Sequence, residues 1–379
     1  MLRLKLTILI FGGMLIHGMG YTQHFSTKGQ FISGLTVNPK HPFQSQFRVQ
    51  YFPTVFISKP LNDSYGFDWE FTLDSYAAYF FTDNSHELSG QIEPYRGWFG
   101  FSGNQLDLRV GLQKINFGSA SLLRPLMWFD QLDPRDPLKL TDGVHAFLGR
   151  YYFLNNANVW FWFLAGNDEL KGWERFATGK KQTELGGRIQ FPFLSGEIAA
   201  TYHYRDGSFK DSYADTLTER LFFSENRYAV DGKFDWLVGL WFETVLIHQN
   251  LDFSGQRYQR MMNYGLDYTF NVGNGLYVIA EYFSYSNASE ILGTGNGADL
   301  LATSFSYPVN IINNIQAVVY YDLSHHDFYR FINFSWTYDN WIIYFMGFWN
   351  PENYQIYQDL GNIHLFSGYG AQVMVVFNH

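Results

Sequence analysis

Residues 105–144 read Gln105-Leu-Asp-Leu-Arg-Val-Gly-Leu-Gln-Lys-Ile-Asn-Phe-Gly118, then Ser-Ala-Ser-Leu-Leu-Arg-Pro-Leu-Met-Trp-Phe-Asp-Gln-Leu-Asp-Pro-Arg-Asp-Pro137, then Leu-Lys-Leu-Thr-Asp-Gly-Val144. The first part alternates. Leu106, Leu108, Val110 and Leu112 share one face; Gln105, Asp107, Arg109, Gly111 and Gln113 share the other. A period of two is that of a strand whose two faces meet different surroundings. Alternation stops at Phe117-Gly118 and resumes near Val144, so an irregular insert, 118–142, separates two strands.

Outward from this stretch the same period recurs. Phe67, Trp69, Phe71 and Leu73 oppose Asp68, Glu70, Thr72 and Asp74, and Ile198, Ala200, Tyr202 and Tyr204 oppose Glu197, Thr201, His203 and Arg205. Composition says what the apolar face meets. Aromatic residues are 20% of the 379-residue chain and charged residues 16%. A soluble domain carries about a quarter charged residues, and a helical membrane protein shows apolar runs of roughly 18 or more. A transmembrane β-barrel satisfies both observations, because every second residue faces lipid and aromatic girdles mark the interfaces. A Lys or Arg on the lipid face costs roughly 2 to 4 kcal/mol at mid-membrane, so the charged faces point into the lumen.

The alternating segments run from a weak first one at 29–38 to a last one at 364–377, and predict about eighteen antiparallel strands, with sixteen as the fallback. Their connections alternate between short ones, such as Asp339-Asn340, and long ones such as 118–142, 167–181 and 207–225. Bacterial barrels pair short periplasmic turns with long extracellular loops. The insert is then the third extracellular loop. Residues 1–20, with Arg3 and Lys5 before an apolar Leu6 to Ile16, read as an export signal, 21–28 as a lead, and 29–379 as one barrel domain.

Cysteine is absent and net charge is −9, which removes thiolate metal sites and leaves nucleic acid no electrostatic footprint. No metal or other cofactor is expected. Leu122, Leu123, Leu126, Met127, Trp128 and Phe129 are too apolar for a solvated loop, so the insert is expected to pack inside the barrel. It would then present Arg124, Asp130, Asp133, Arg135, Asp136 and Lys139 at a narrowing. The facing wall is read as Asp107, Arg109, Glu184, Arg188, Glu197 and Arg205, with Arg109, Arg188 and Arg205 forming a basic ladder. Loops 171–181 and 206–226 read as outer surface, in contact with sugars and cations of the membrane. His325-His326-Asp327 reads as a polar turn before it reads as a metal site.

The third-loop layout resembles the bacterial outer-membrane porins. Val110 to Gly118, with its Gly-x-Gln strand end, and the Pro/Asp run Asp130 to Pro137 look like substrate-selective porins and alginate-export-type barrels. Ala371, Val373, Val375 and Phe377 resemble the C-terminal signal read by the barrel-assembly machinery. The resemblance implies an outer-membrane channel of a Gram-negative bacterium that passes small hydrophilic solutes without catalysis. Its surroundings would be membrane lipid and lipopolysaccharide, and it would assemble as a homo-oligomer. Two alternatives stay open. One is a closed or receptor-type barrel that binds a surface ligand or a secretion partner. The other is a barrel lipid hydrolase, for which His203 with Ser208, or His248 with Ser254, are the candidate pairs, although no Gly-x-Ser-x-Gly elbow occurs.

Overall fold

The computed structural model describes residues 24–40, 43–133, 136–210, 220–250, 256–352 and 365–379. The export signal expected at 1–20 lies outside the described residues. Eighteen strands make up the fold. The first six are β1 His24–Asn38, β2 Gln44–Pro60, β3 Gly66–Thr82, β4 His86–Ser102, β5 Leu106–Gln113 and β6 Val144–Tyr152. The next six are β7 Asn158–Ala165, β8 Thr183–Phe193, β9 Gly196–Lys210, β10 Arg220–Asp235, β11 Gly239–Gln249 and β12 Tyr258–Phe270. The last six are β13 Leu276–Ala288, β14 Asn296–Pro308, β15 Asn313–Asp322, β16 Asp327–Tyr338, β17 Trp341–Trp349 and β18 Tyr369–Asn378.

Each strand pairs antiparallel with the next, and β1 also pairs with β18, from Gln30↔Asn378 to Val37↔Ala371. That last ladder closes the sheet into a barrel and leaves no free edge. β1 begins at His24, so residues 24–28 belong to the wall and not to a lead. Lys28 pairs with Thr54 of β2, and the ladder that fixes it is continuous with the rest of β1.

The outward face is apolar and aromatic: Leu35, Trp69, Phe71, Phe345 and Val373 are exposed. The inward neighbours Thr36, Thr72 and Met374 are buried. β2, β3 and β4 each have 17 residues, longer than the roughly 9 to 11 that a tilted strand needs to cross the apolar layer. These three strands therefore extend beyond it. In β4 the pairing shifts register, from Thr72↔Arg96 to Leu73↔Pro94. Tyr95 is the extra residue of this bulge, and bulges re-aim side chains, which brings Tyr95 and Arg96 to the lumen side together.

The two faces make opposite demands on a charge. Val373→Arg places a guanidinium on the lipid face of β18 and is expected to cost about 2–4 kcal/mol. Gln372→Arg, one residue away and inward, is expected to cost less than about 1 kcal/mol. Denaturant unfolding from lipid vesicles checks the pair, and equal losses for both variants would reverse the assignment of faces.

Candidate functional site

The insert between β5 and β6 folds into the lumen. Leu122, Leu123, Leu126, Met127, Trp128 and Phe129 are all buried. All but Met127 form one cluster with inward side chains of β7 (Trp162, Leu164), β11 (Val245, Ile247), β12 (Met261) and β13 (Phe283). Phe117 stacks on Trp162 at 5.5 Å, and Phe129 meets the same ring edge-on at 5.5 Å. Each such buried side chain contributes about 1.5–3 kcal/mol, so the insert is held as a core and not as a surface loop.

Backbone N–H groups of the insert would be orphaned by that burial. Two wall carboxylates take them up. Glu243 of β11 accepts from the N–H of Ser119 at 2.6 Å, Ala120 at 2.8 Å and Leu126 at 3.3 Å. Glu281 of β13 accepts from Ser121 at 2.6 Å, Leu122 at 3.2 Å and Leu123 at 2.7 Å. Asn263 of β12 stands between the two, donating to the Leu123 carbonyl at 2.7 Å and to Glu281 at 3.0 Å. Gly118, at φ +97, opens the turn, and a Cβ there would collide with the Glu243 carboxylate.

The descending end of the insert reaches a different part of the wall. Leu138 and Leu140 pack against a cluster of Ile32, Phe52, Met374 and Val376 with Tyr95, Ile342 and Tyr344. Arg96 donates to the Thr141 carbonyl at 2.7 Å, with its guanidinium 3.9 Å from the Tyr95 ring centre. Asp136 ties this arm together, accepting from the N–H of Leu138 at 3.0 Å and Leu140 at 3.1 Å, and burial raises its pKa above the ordinary carboxylate value. The insert thus starts at β5–β6 and touches β11–β13 and β17–β2. Those sectors lie about six strands apart around a ring of eighteen.

A second loop joins it. Residues 166–182, which contain the stretch 171–181 expected as outer surface, enter the lumen as far as Thr178. Trp173 stacks on Phe283 at 4.9 Å and donates to the Arg124 carbonyl at 2.8 Å. Gly172, at φ +49, lies so close to the Met127 carbonyl that no side chain fits. Three of the charges that made this loop look solvated, Lys171, Glu174 and Arg175, are paired with the wall, while Lys180 stays exposed beside Asp168 of the same loop. Lys171 meets Glu184 at 2.9 Å, and Glu174 meets Arg227 at 2.7 Å and Arg205 at 3.3 Å. The segment 206–226 is likewise mostly wall: β9 runs to Lys210 and β10 starts at Arg220.

The expected basic ladder is therefore not a row of free cations. Arg188 forms a two-pronged pair with Asp231, at 2.6 and 2.7 Å. Arg205 is fully buried against Glu225 at 2.6 Å and Glu174. Arg109 alone stays half-exposed, beside Asp107 at 3.2 Å and over the Trp98 ring at 4.6 Å. Glu184 is buried with Lys171 and His203, while Glu197 is exposed near the short-turn end of β9. His203 has both ring nitrogens engaged: Trp162 Nε1–H reaches Nδ1 at 3.1 Å, and Glu184 lies 3.0 Å from Nε2. His248 stacks on Tyr258 at 4.8 Å, and Ser254 lies outside the described residues. Among the described residues no group of His, Asp and Glu forms a metal cluster.

Of the charges expected on the insert, Arg124 and Asp130 are buried and joined at 2.9 Å. That pair braces the insert, with Arg124 also donating to Asn116 at 2.8 Å and the Phe117 carbonyl at 3.1 Å. Arg135 lies outside the described residues. Asp133, Lys139, Lys114 and one side of Arg124 line a cavity of about 340 Å³ with Ser119 and Ser121. A second cavity, about 330 Å³, lies under Leu140 between Lys28, Glu70, Tyr95 and Arg96. Sequence reading missed Glu243 and Glu281. The available signal was the inward face of β11, where Trp241, Val245 and Ile247 flank Glu243 and make that strand apolar on both sides.

No protein-family model matches the chain, and no curated protein matches it. Solved structures do. The chain is similar to OmpF of Salmonella typhi, described in complex with daunomycin, at 10% identity and a TM-score of 0.52, with 94% of this chain and 97% of that one covered. It is also similar to OmpT, an outer membrane protein of Vibrio cholerae in trimer form, at 14% identity and a TM-score of 0.50, covering 94% and 100%. These likenesses give the fold, a closed antiparallel barrel of the outer-membrane kind.

Hydrogen bonds to charged groups are worth about 1.5–3 kcal/mol each, and Glu281 receives those of three consecutive residues. Glu281→Ala is expected to release the insert while the barrel persists. Protease sites within 118–142 should become accessible, with the β-sheet circular dichroism unchanged. An insert as resistant as in the parent protein would show that the carboxylate is dispensable.

Proposed function

We propose that the chain is an outer-membrane channel of a Gram-negative bacterium that passes small hydrophilic solutes down their gradient, along a path beside the insert and not down the barrel axis. The observation that carries this reading is the uneven filling of the lumen. Most inward charged or ionisable residues of β8–β13 are buried, as with Arg188, His203, Glu225, Asp231, Glu243 and Glu281. The inward charged residues of β2 and β3, Arg48, Asp68, Glu70 and Asp74, are only half-buried. The cavity of about 330 Å³ is lined by Phe52, Thr54, Glu70 and Thr72 of this less-filled wall, and the cavity of about 340 Å³ is lined by the insert and Lys114. Walls carrying both signs of charge orient dipolar solutes while letting them pass.

In this reading Lys114 and Lys139 take the selectivity role, together with Arg124 and Asp133. Neither lysine ammonium has a hydrogen-bond or ion-pair partner among the described residues. Lys114 is half-buried, and desolvation lowers its pKa below the ordinary lysine value of 10.5. Its positive charge is therefore lost earlier, as pH rises, than that of a free lysine. Surrounding lipid and lipopolysaccharide, delivery by the barrel-assembly machinery and a homo-oligomeric state belong to the same proposal.

The test is electrical. Planar bilayers holding the purified protein should show single-channel steps, and reversal potentials in a salt gradient should report anion preference. Replacing both Lys114 and Lys139 by Glu should shift that preference toward cations by several-fold. In the parent protein the preference should decline as pH rises toward the alkaline range, and Lys114→Arg should flatten the decline. Absence of any conductance step would favour the closed or receptor-type barrel instead.

A further inference from the structure

Outward positions of this barrel are mostly large, and one row is an exception. Across five neighbouring strands the directly paired residues Ala317, Ile332, Gly347, Ala371 and Val37 form a continuous outward line. Four of the five are Val or smaller. The outward row two residues nearer the short turns is bulky: Ile315, Phe334, Phe345 and Val373 lie opposite one another in the same register. The row two residues toward the long loops is Val319, Arg330, Trp349 and Tyr369. Between these ridges runs an apolar groove of about 1120 Å³.

Its level in the membrane follows from β17, whose outward ends are Trp341 and Trp349. They are eight residues apart, which is roughly 26 Å along a strand at about 3.3 Å per residue and about 20 Å across the layer after a 35–45° tilt. Paired tryptophans at that separation mark the two interfaces. The groove thus lies one outward step inside the interface on the long-loop side.

Arg330 stands at that edge. It shares the outward face with Val319 and Trp349, and its guanidinium lies 5.0 Å from the ring centres of both Phe328 and Trp349. Among the described residues its guanidinium meets no carboxylate. Near an interface an outward Arg costs little, and two aromatic faces hold it in place. A fixed cation without an anion, at the head of an apolar groove, is complementary to a molecule with a negative head and a hydrocarbon tail.

We propose that this groove holds one lipid of the surrounding leaflet, with an acyl chain along the Ala317–Val37 row and a phosphorylated headgroup on Arg330. The proposal rests on the outward face meeting lipid, and is independent of whether the lumen conducts. Gly347 makes the groove floor: a Cβ there meets only the Ile332 Cγ2 methyl, at 3.4 Å, so a larger side chain is accommodated on the backbone and fills the groove.

The test uses the full chain in detergent with phosphatidic acid or phosphatidylcholine as the added probe, read by native mass spectrometry. The parent protein should retain one phosphatidic acid, and retain phosphatidylcholine at least tenfold less. Gly347→Leu and, independently, Arg330→Gln should each reduce phosphatidic acid retention at least tenfold, with the heat-shifted gel mobility of a folded barrel unchanged. Equal retention of the two lipids, or unaltered retention in both variants, overturns the proposal. A change of oligomeric mass in Gly347→Leu without a change in lipid retention also overturns it and assigns the groove to a second copy of the chain.

Discussion

The architecture inside this barrel depends on two carboxylates meeting six backbone N–H groups. A strand-lined lumen is indifferent to where a loop lies, because its polar wall is satisfied by water. An apolar loop can enter only if its own backbone donors find acceptors on the far side. Glu243 and Glu281 supply those acceptors within the Ser119–Leu126 segment. With the donors satisfied, burial of Leu123, Leu126, Trp128 and Phe129 becomes favourable, and Trp173 of the second loop gains a surface to stack against. The polar clamp directs the insert, and the hydrophobic contacts supply most of its hold.

The buried ion pairs of β8–β10 follow from the same enclosure. Once two loops cover that side of the lumen, Arg188, Arg205 and Arg227 lose water, and a buried charge must be paired. Asp231, Glu225 and Glu174 do this at 2.6 to 3.3 Å. The opposite side keeps its half-exposed charges because little covers it. The two loops thus divide the lumen into a closely packed side and a side whose charges stay half-exposed. Which lumen-facing charges stay exposed is decided by packing and not by the number of lumen-facing Arg and Asp residues.

The strands were legible in the sequence because a period of two between lipid and water is a strong local signal. The alternation read at 67–74 and 197–205 falls within β3 and β9. The insert was legible as well, since Leu122 to Phe129 has no place in solvent. Its anchors were not. Glu243 looks like an isolated lumen acid until its flanking Trp241 and Val245 are seen to be buried on the inward side. The loop at 166–182 misled for the complementary reason: Lys171, Glu174 and Arg175 carry the composition of a solvated loop. Their partners on β8, β10 and β11 are 13, 53 and 74 residues further along the chain. Pairing at that separation leaves no trace in local pattern. Arg188 and Asp231 are separated by 43 residues in the same way.

Those separations bear on how the molecule is put together. Ser119 meets Glu243 across 124 residues, and Ser121 meets Glu281 across 160. Local β-hairpins can form as soon as two neighbouring strands exist, whereas contacts this distant in sequence wait for the intervening chain. The insert therefore has no seat until β11 to β13 are in place, and its other arm has none until β18 joins β1. Before that moment the nascent wall is a hoop without its brace, with an apolar loop still exposed. Closing the ring and filling it are two events, and the filling is complete only once the ring is closed.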